Sequence, residues 1–128
     1  MSQSTYILIM SSLLVSALMA ACQGSQAERT ATMLTGGNPQ RGERLIRQYG
    51  CGACHVIPGV PGASGLVAPP LTRFAQRSFI AGQVPNTPNN LVEWIVAPAS
   101  IVPGTAMPAL GLTLQQARDV TAYLYTLR

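Results

Sequence analysis

Cys51-Gly52-Ala53-Cys54-His55 is the stretch that decides the fold of this chain. Two thiols stand three positions apart, and an imidazole follows directly after the second thiol. This spacing suits covalent attachment of a c-type haem, in which each thiol forms a thioether and the histidine binds the iron. The motif predicts one haem, attached through Cys51 and Cys54, with His55 as an iron ligand.

Other uses of a cysteine pair fit the chain less well. A zinc site needs four ligands, but His55 is the only histidine and the third cysteine, Cys22, lies far upstream. A redox-active dithiol normally follows a strand, whereas this motif follows a short helical pattern. A simple disulfide between Cys51 and Cys54 stays open as an alternative.

The N-terminal residues predict export. An apolar run from Tyr6 to Ala21 is interrupted only by serines and is short for a membrane span. Leu18-Met19-Ala20-Ala21-Cys22 resembles the lipobox of bacterial lipoproteins, which makes Cys22 a lipidation candidate. We therefore predict a signal sequence over residues 1–22, with an uncleaved N-terminal anchor as the alternative and an intermolecular disulfide of Cys22 as a minor one.

The next segment, residues 23–38, is small and polar and has no apolar periodicity. This composition predicts a flexible tether. Together with the lipobox-like end, it predicts an exported protein held at the periplasmic face of the cytoplasmic membrane.

Residues 39–128 are enough for one small domain, whose core would be marginal without a stabilising cofactor. Charged residues make up only 9% of the chain, which contains 12 glycines and 10 prolines. Such a composition is typical of a chain whose loops wrap a buried cofactor.

Three segments of this domain carry helical signals. The first two begin with a capping residue followed by proline, at Asn38-Pro39 and Thr87-Pro88. The third begins with a capping box of Thr113 and Gln116, followed by apolar residues at helical spacing. Residues 56–86 predict mostly loop, with a short helical turn near residues 79–81. The domain is predicted to be all-α.

Met107 is the candidate for the second axial position of the iron. It is the only methionine in residues 39–128, and it lies in the loop Pro103-Gly104-Thr105-Ala106-Met107-Pro108. The chain has no second histidine and no lysine, which removes the common substitutes. Met107 is therefore the predicted sulfur ligand.

Residues 39–128 closely resemble the class I cytochrome c family. The family's helix followed by Pro-Gly-Thr-x-Met is matched by Leu91-Val92-Glu93-Trp94-Ile95 running to Pro103-Gly104-Thr105-Ala106-Met107. The family's Gly-Pro-x-Leu looks like Ala68-Pro69-Pro70-Leu71. The resemblance implies a small class I cytochrome c fold, with three main helices and loops wrapped around one covalently bound haem.

The resemblance also implies roles for further residues. The carbonyl of Pro69 would accept a hydrogen bond from the ring of His55, and Trp94 would pack against the haem on the Met107 side. Gly42 would let the first and last helices cross closely, at Tyr123.

An iron bound by both His55 and Met107 has no open site, so we expect one-electron transfer and no enzymatic activity. The expected partners are membrane redox proteins: a terminal oxidase, a quinol–cytochrome c reductase or a dehydrogenase. One alternative is a fixed haem c subunit of an oxidase or dehydrogenase complex. Another, less favoured, is a gas-binding or peroxidase-like haem protein.

Charge adds little to the choice of partner. The formal net charge is +4, and all eight basic residues are arginines spread along the chain. Without lysines, docking is expected to depend more on apolar contact than on salt-sensitive attraction. No basic run or aromatic patch favours binding of nucleic acid.

Overall fold

The computed structural model describes residues 26–128. The predicted signal sequence, lipobox-like end and lipidation candidate Cys22 lie outside this part of the chain. No helix among residues 26–128 is both long enough and apolar enough to cross a membrane.

The described part is mostly helical, as the sequence predicts. Its helices are α1 (26–35), α2 (Pro39–Gln48), α3 (Pro88–Val96), α4 (Pro98–Ile101) and α5 (Leu114–Thr126). Single 3-10 turns lie at Cys51–Ala53 and Phe74–Gln76, and the strands β1 (Phe79–Ile80) and β2 (Val84–Pro85) form one short antiparallel hairpin. The prediction of an all-α domain is confirmed.

The three predicted helix starts have the expected caps. The side chains of Asn38 and Thr87 each accept the backbone N–H three residues later, at 2.8 and 3.3 Å. Thr113 and Gln116 form the reciprocal box, with side-chain to backbone distances of 3.2 and 2.9 Å. These caps bind backbone donors that the first helical turn leaves free, so each fixes where a helix begins.

The prediction of a flexible tether over residues 23–38 is wrong for its described part. Residues 26–35 are helical, Ala31 is 1% exposed, and Thr35 is buried. The segment contains good helix formers, but its buried positions are small residues four apart, so the burial leaves no apolar periodicity in the sequence. The Thr35 hydroxyl donates to the Ala31 carbonyl at 2.7 Å, which satisfies it within the helix.

The helical turn predicted near residues 79–81 is also wrong. Phe79 and Ile80 are extended and pair with Pro85 and Val84. Ala81 and the glycine after it both have positive φ, and this conformation reverses the chain tightly enough to pair the flanking residues.

Helices α2 and α5 cross closely at Gly42. A Cβ atom at this position would overlap the backbone carbonyl of Asp119 and would lie 3.0 Å from Cβ of Tyr123. Only a residue without a side chain allows this approach. The hydroxyl of Tyr123 also donates to the Pro58 carbonyl at 2.6 Å, which ties α5 to the loop after the cysteine motif.

A buried carboxylate joins the start of α2 to the same crossing. Asp119 is 3% exposed and accepts the Asn38 N–H at 2.7 Å, Arg41 Nε at 2.8 Å and Gln115 Nε2 at 3.2 Å. Burial alone would raise the pKa of Asp119, but hydrogen bonds from Arg41, Asn38 and Gln115 outweigh it and hold the pKa below its usual value. The ionised carboxylate is therefore the form that stabilises the fold.

Replacing Gly42 by alanine tests the crossing. Glycine to alanine inside an exposed helix normally stabilises a protein by about 1 kcal/mol. At Gly42 we expect the opposite sign, a loss of about 1–3 kcal/mol in the free energy of unfolding, because the added methyl group pushes α5 away. Denaturant unfolding of the haem-loaded protein measures the change, with Gln48→Ala on the exposed part of α2 as the control. A stabilised Gly42→Ala variant would contradict the close crossing.

Replacing Asp119 by asparagine tests the buried carboxylate. We expect the free energy of unfolding to fall by about 2 kcal/mol at pH 7, because the charge-assisted hydrogen bonds are lost. The folded-state pKa lies below the unfolded value of about 3.9, so the contribution is complete above that value and disappears as the pH falls through the folded-state pKa. The difference from wild type should therefore narrow below about pH 4.

Unfolding curves at pH 7 and pH 3 check this dependence on pH. Glu43→Gln serves as the control, because Glu43 forms a looser pair with Arg47 at 3.4 Å on the surface of α2. An Asp119→Asn variant as stable as wild type at pH 7 would show that the carboxylate charge contributes nothing.

Candidate haem site

An apolar cavity lies between α2, α3, α5 and the loops that join them. It contains about 580 Å³ of empty space, part of it open to solvent. Its wall consists of Ile46, Cys51, His55, Ile57, Leu71, Phe74, Leu91, Trp94, Ile95, Met107, Leu110, Leu112, Val120 and Leu124. The cavity therefore combines an apolar wall with a thiol, an imidazole and a thioether.

His55 reaches this wall from the turn of the cysteine motif. Its backbone N–H donates to the Cys51 carbonyl at 3.0 Å, so His55 is bonded directly to the first residue of the 3-10 turn Cys51–Ala53. Ring atom Nδ1 lies 2.7 Å from the carbonyl oxygen of Pro69. Since a carbonyl can only accept, Nδ1 carries the proton, and Nε2 is left as the nitrogen available to a metal.

The two cysteines of the motif are free thiols, and both are half-buried. Cys51 lines the cavity, whereas Cys54 is not among the residues of the wall. The backbone N–H of Cys54 donates a hydrogen bond to the Cys51 carbonyl at 3.3 Å. Burial raises the pKa of the Cys51 thiol, and the neighbouring Cys54 adds to the rise. The Cys51 thiol is therefore uncharged at neutral pH and is compatible with the apolar wall.

Met107 and Trp94 come to the same cavity from the other half of the chain. Trp94 projects from α3, and Met107 lies in the loop after α4; both are half-buried in the wall. The Met107 N–H donates to the hydroxyl of Thr105 at 3.2 Å, and the Thr105 N–H donates to the Val102 carbonyl at 3.1 Å. These bonds tie the methionine to a turn that begins where α4 ends.

The wall also depends on residues that the sequence pattern did not single out. Phe74 is buried in the wall, and its carbonyl accepts from the side chain of Asn86 at 3.0 Å. The same Asn86 amide donates to the carbonyl of Arg77 at 3.1 Å, and its oxygen accepts from Tyr125 at 3.2 Å. Asn86 thus fastens the 74–86 loop to α5. An asparagine between Pro85, at the end of β2, and the Thr87-Pro88 start of α3 was the only signal of this role.

Arg77 crosses the outer side of this loop. Its guanidinium donates to the carbonyls of Pro70 and Thr72, and its central carbon lies 5.3 Å from the centre of the Phe74 ring. The arginine therefore links the segment that holds Pro69 to the segment that holds Phe74.

Within residues 26–128, no group of three or more His, Cys, Asp or Glu side chains could hold a metal ion.

In this domain, helices surround an apolar cavity whose wall includes the histidine of a Cys-x-x-Cys-His motif. This arrangement is typical of small c-type haem proteins. A family model described as Cytochrome c matches residues 39–128, and the chain belongs to this family. The prediction of a class I cytochrome c is confirmed. Membership of this family implies a covalently bound haem c and electron transfer with redox partners.

One curated relative has a sequence match of note. The chain is 33% identical over 89 residues to a cytochrome c oxidase subunit 2 from Alkalihalophilus pseudofirmus. The match covers 69% of this chain and 25% of that protein, so the chain spans about a quarter of the relative's length. No solved structure matches the chain.

Proposed function

We propose that this protein is a one-electron carrier with a single haem c, attached through Cys51 and Cys54 and bound axially by His55 and Met107. The observation that carries the proposal is that an imidazole and a thioether from distant parts of the chain line one apolar cavity, beside a cysteine of the attachment motif. No enzymatic activity is proposed.

The residues of the cavity fit such a group. Haem is large, flat and apolar, and most of the side chains around this space are aliphatic or aromatic. When bound, the haem supplies an iron that alternates between ferric and ferrous states and so carries one electron. The Pro69 carbonyl holds the His55 ring in one tautomer and one orientation. The turn at Thr105 positions the sulfur of Met107, and the apolar wall disfavours the extra charge of ferric iron.

A terminal oxidase is the proposed electron acceptor, with a quinol–cytochrome c reductase or a dehydrogenase as donor. Support comes from the similarity of this chain to a quarter of a cytochrome c oxidase subunit 2. The same similarity suits a second candidate, a haem c subunit fixed in an oxidase or dehydrogenase complex. Copurification with such a complex in mild detergent would favour the fixed subunit. A gas-binding or peroxidase-like protein is the less favoured reading, because it needs Met107 to leave the iron.

We also propose that the chain is exported and held at the periplasmic face of the cytoplasmic membrane. Support comes from the apolar run between Tyr6 and Ala21 and from the lipobox-like residues before Cys22. Because residues 26–35 are helical, the link to the domain is shorter and stiffer than a coil of the same length. Such a carrier would serve partners close to its own anchor.

Met107→Ala is the experiment that tests the iron ligands. Wild-type protein matured with haem should show a low-spin spectrum, with the weak red band of ferric iron bound to thioether sulfur, and should not bind carbon monoxide. Met107→Ala should lose this band, bind carbon monoxide and have a lower reduction potential, because the thioether favours ferrous iron. Met33→Ala, at an exposed methionine of α1, is the matched control and should behave as wild type.

The opposite result would overturn the assignment. If wild-type protein already binds carbon monoxide readily, the sixth position is open or labile, and the gas-binding or peroxidase-like function gains support.

Cys22→Ser tests the anchor. If Cys22 is lipidated, the wild-type protein should fractionate with membranes, and the serine variant should be released or should accumulate unprocessed. Met33→Ala again serves as the control. A Cys22→Ser variant that is processed normally and distributes like wild type would exclude the lipid anchor.

A further inference from the structure

The loop 65–68 is bound at both ends to the cysteine motif. The Gly65 N–H donates to the Gly52 carbonyl at 3.0 Å, and the Ala68 N–H donates to the Cys54 carbonyl at 2.9 Å. A Cβ atom at Gly65 would overlap the backbone of Ala53 and Cys54, so the loop lies directly against the motif. Its position relative to Cys54 is therefore fixed by backbone contacts.

The two residues between these hydrogen bonds are large, apolar and exposed. Leu66 is 88% exposed and Val67 is 79% exposed, the highest exposed fractions among the large apolar residues of the described chain apart from Met33, also at 79%. Neither side chain lines the cavity or packs against the core. Exposed apolar side chains next to a functional site are typical of a surface that contacts another molecule.

The sequence on either side of this loop carries no charge, and the nearby guanidinium of Arg77 is engaged by the carbonyls of Pro70 and Thr72. Between Arg47 and Arg73 the sequence contains no Lys, Arg, Asp or Glu, and between Tyr49 and Phe74 it contains no aromatic residue. A partner that placed a charged group against Leu66 would find no counter-ion within the loop, and burying an unpaired charge is costly. A membrane surface is a poorer fit, since bilayer-binding loops normally add basic or aromatic residues to their apolar ones.

We propose that Leu66 and Val67 form the surface on which a redox partner protein docks, and that the matching surface of the partner is uncharged and apolar. The proposal rests on the proposed electron-transfer function. Because the loop is bonded to the backbone of Cys54, a protein seated on Leu66 and Val67 comes close to the residue that attaches the cofactor. Short distance between redox groups is what electron transfer between proteins requires.

Electron self-exchange provides the test, with a second copy of the full-length haem-loaded protein as the probe. Two copies can meet through the same loop, so each offers the other an uncharged apolar surface. The rate is read from NMR line broadening in mixtures of ferric and ferrous protein. We expect the double variant Leu66→Ser, Val67→Ser to lower this rate by about tenfold or more. The wild-type rate should change little with ionic strength.

Leu34→Ser is the matched control. Leu34 is also an exposed leucine, 57% accessible, but it lies in α1. Helix α1 precedes the first residue of α2, whereas Cys51 follows the last residue of α2. The ten residues of α2 separate these ends by about 15 Å. The Leu34→Ser rate should equal that of wild type. A milder variant, Leu66→Gln, keeps the test valid if the double variant loses haem or changes its spectrum.

Three results would overturn the docking surface. One is an unchanged self-exchange rate in the double variant, and another is an equal fall in Leu34→Ser. The third is binding to phosphatidylethanolamine–phosphatidylglycerol vesicles that the double variant abolishes, which would assign the loop to the membrane. Failure of the proposed function is distinguished separately, since a gas-binding or peroxidase-like protein would bind carbon monoxide readily in its wild-type form.

Discussion

The close crossing of α2 and α5 at Gly42 is the constraint on which the rest of the structure depends. Helix α2 ends just before the cysteine motif, so its position decides where Cys51 and His55 stand. Helix α5 supplies Val120 and Leu124 to the cavity wall. The buried Asp119 lies at this crossing and also holds the first turn of α2. Contacts outside the cavity wall thus set the spacing of α2 and α5, which both line the cavity.

The cavity explains why so small a domain carries so few charges. Its wall takes apolar residues from three helices and the loops between them, and many of these also belong to the core. A domain of this size buries a limited area by itself, so an apolar cofactor that fills the space supplies contacts that the chain lacks. Folding and cofactor retention are then parts of one equilibrium.

Several irregular segments of this domain are held by side chains that bind backbone groups across loops. Asn86 binds the carbonyls of Phe74 and Arg77, and Arg77 binds those of Pro70 and Thr72. Such bonds hold irregular segments in one conformation where no sheet or helix does so. A carrier benefits from this rigidity, because its ligands and surroundings then change little between oxidation states.

The sequence alone determined the features that depend on neighbouring residues. The cysteine motif and the caps at Asn38, Thr87 and Thr113 are local, since each side chain binds a backbone group a few positions away. Tertiary structure alone decided what is brought together across the chain. It placed Met107 on the same cavity as His55, buried the small face of the 26–35 helix, and paired Ile80 with Val84. Those outcomes depend on packing between segments, and packing of small or isolated residues leaves no periodic signal in the sequence.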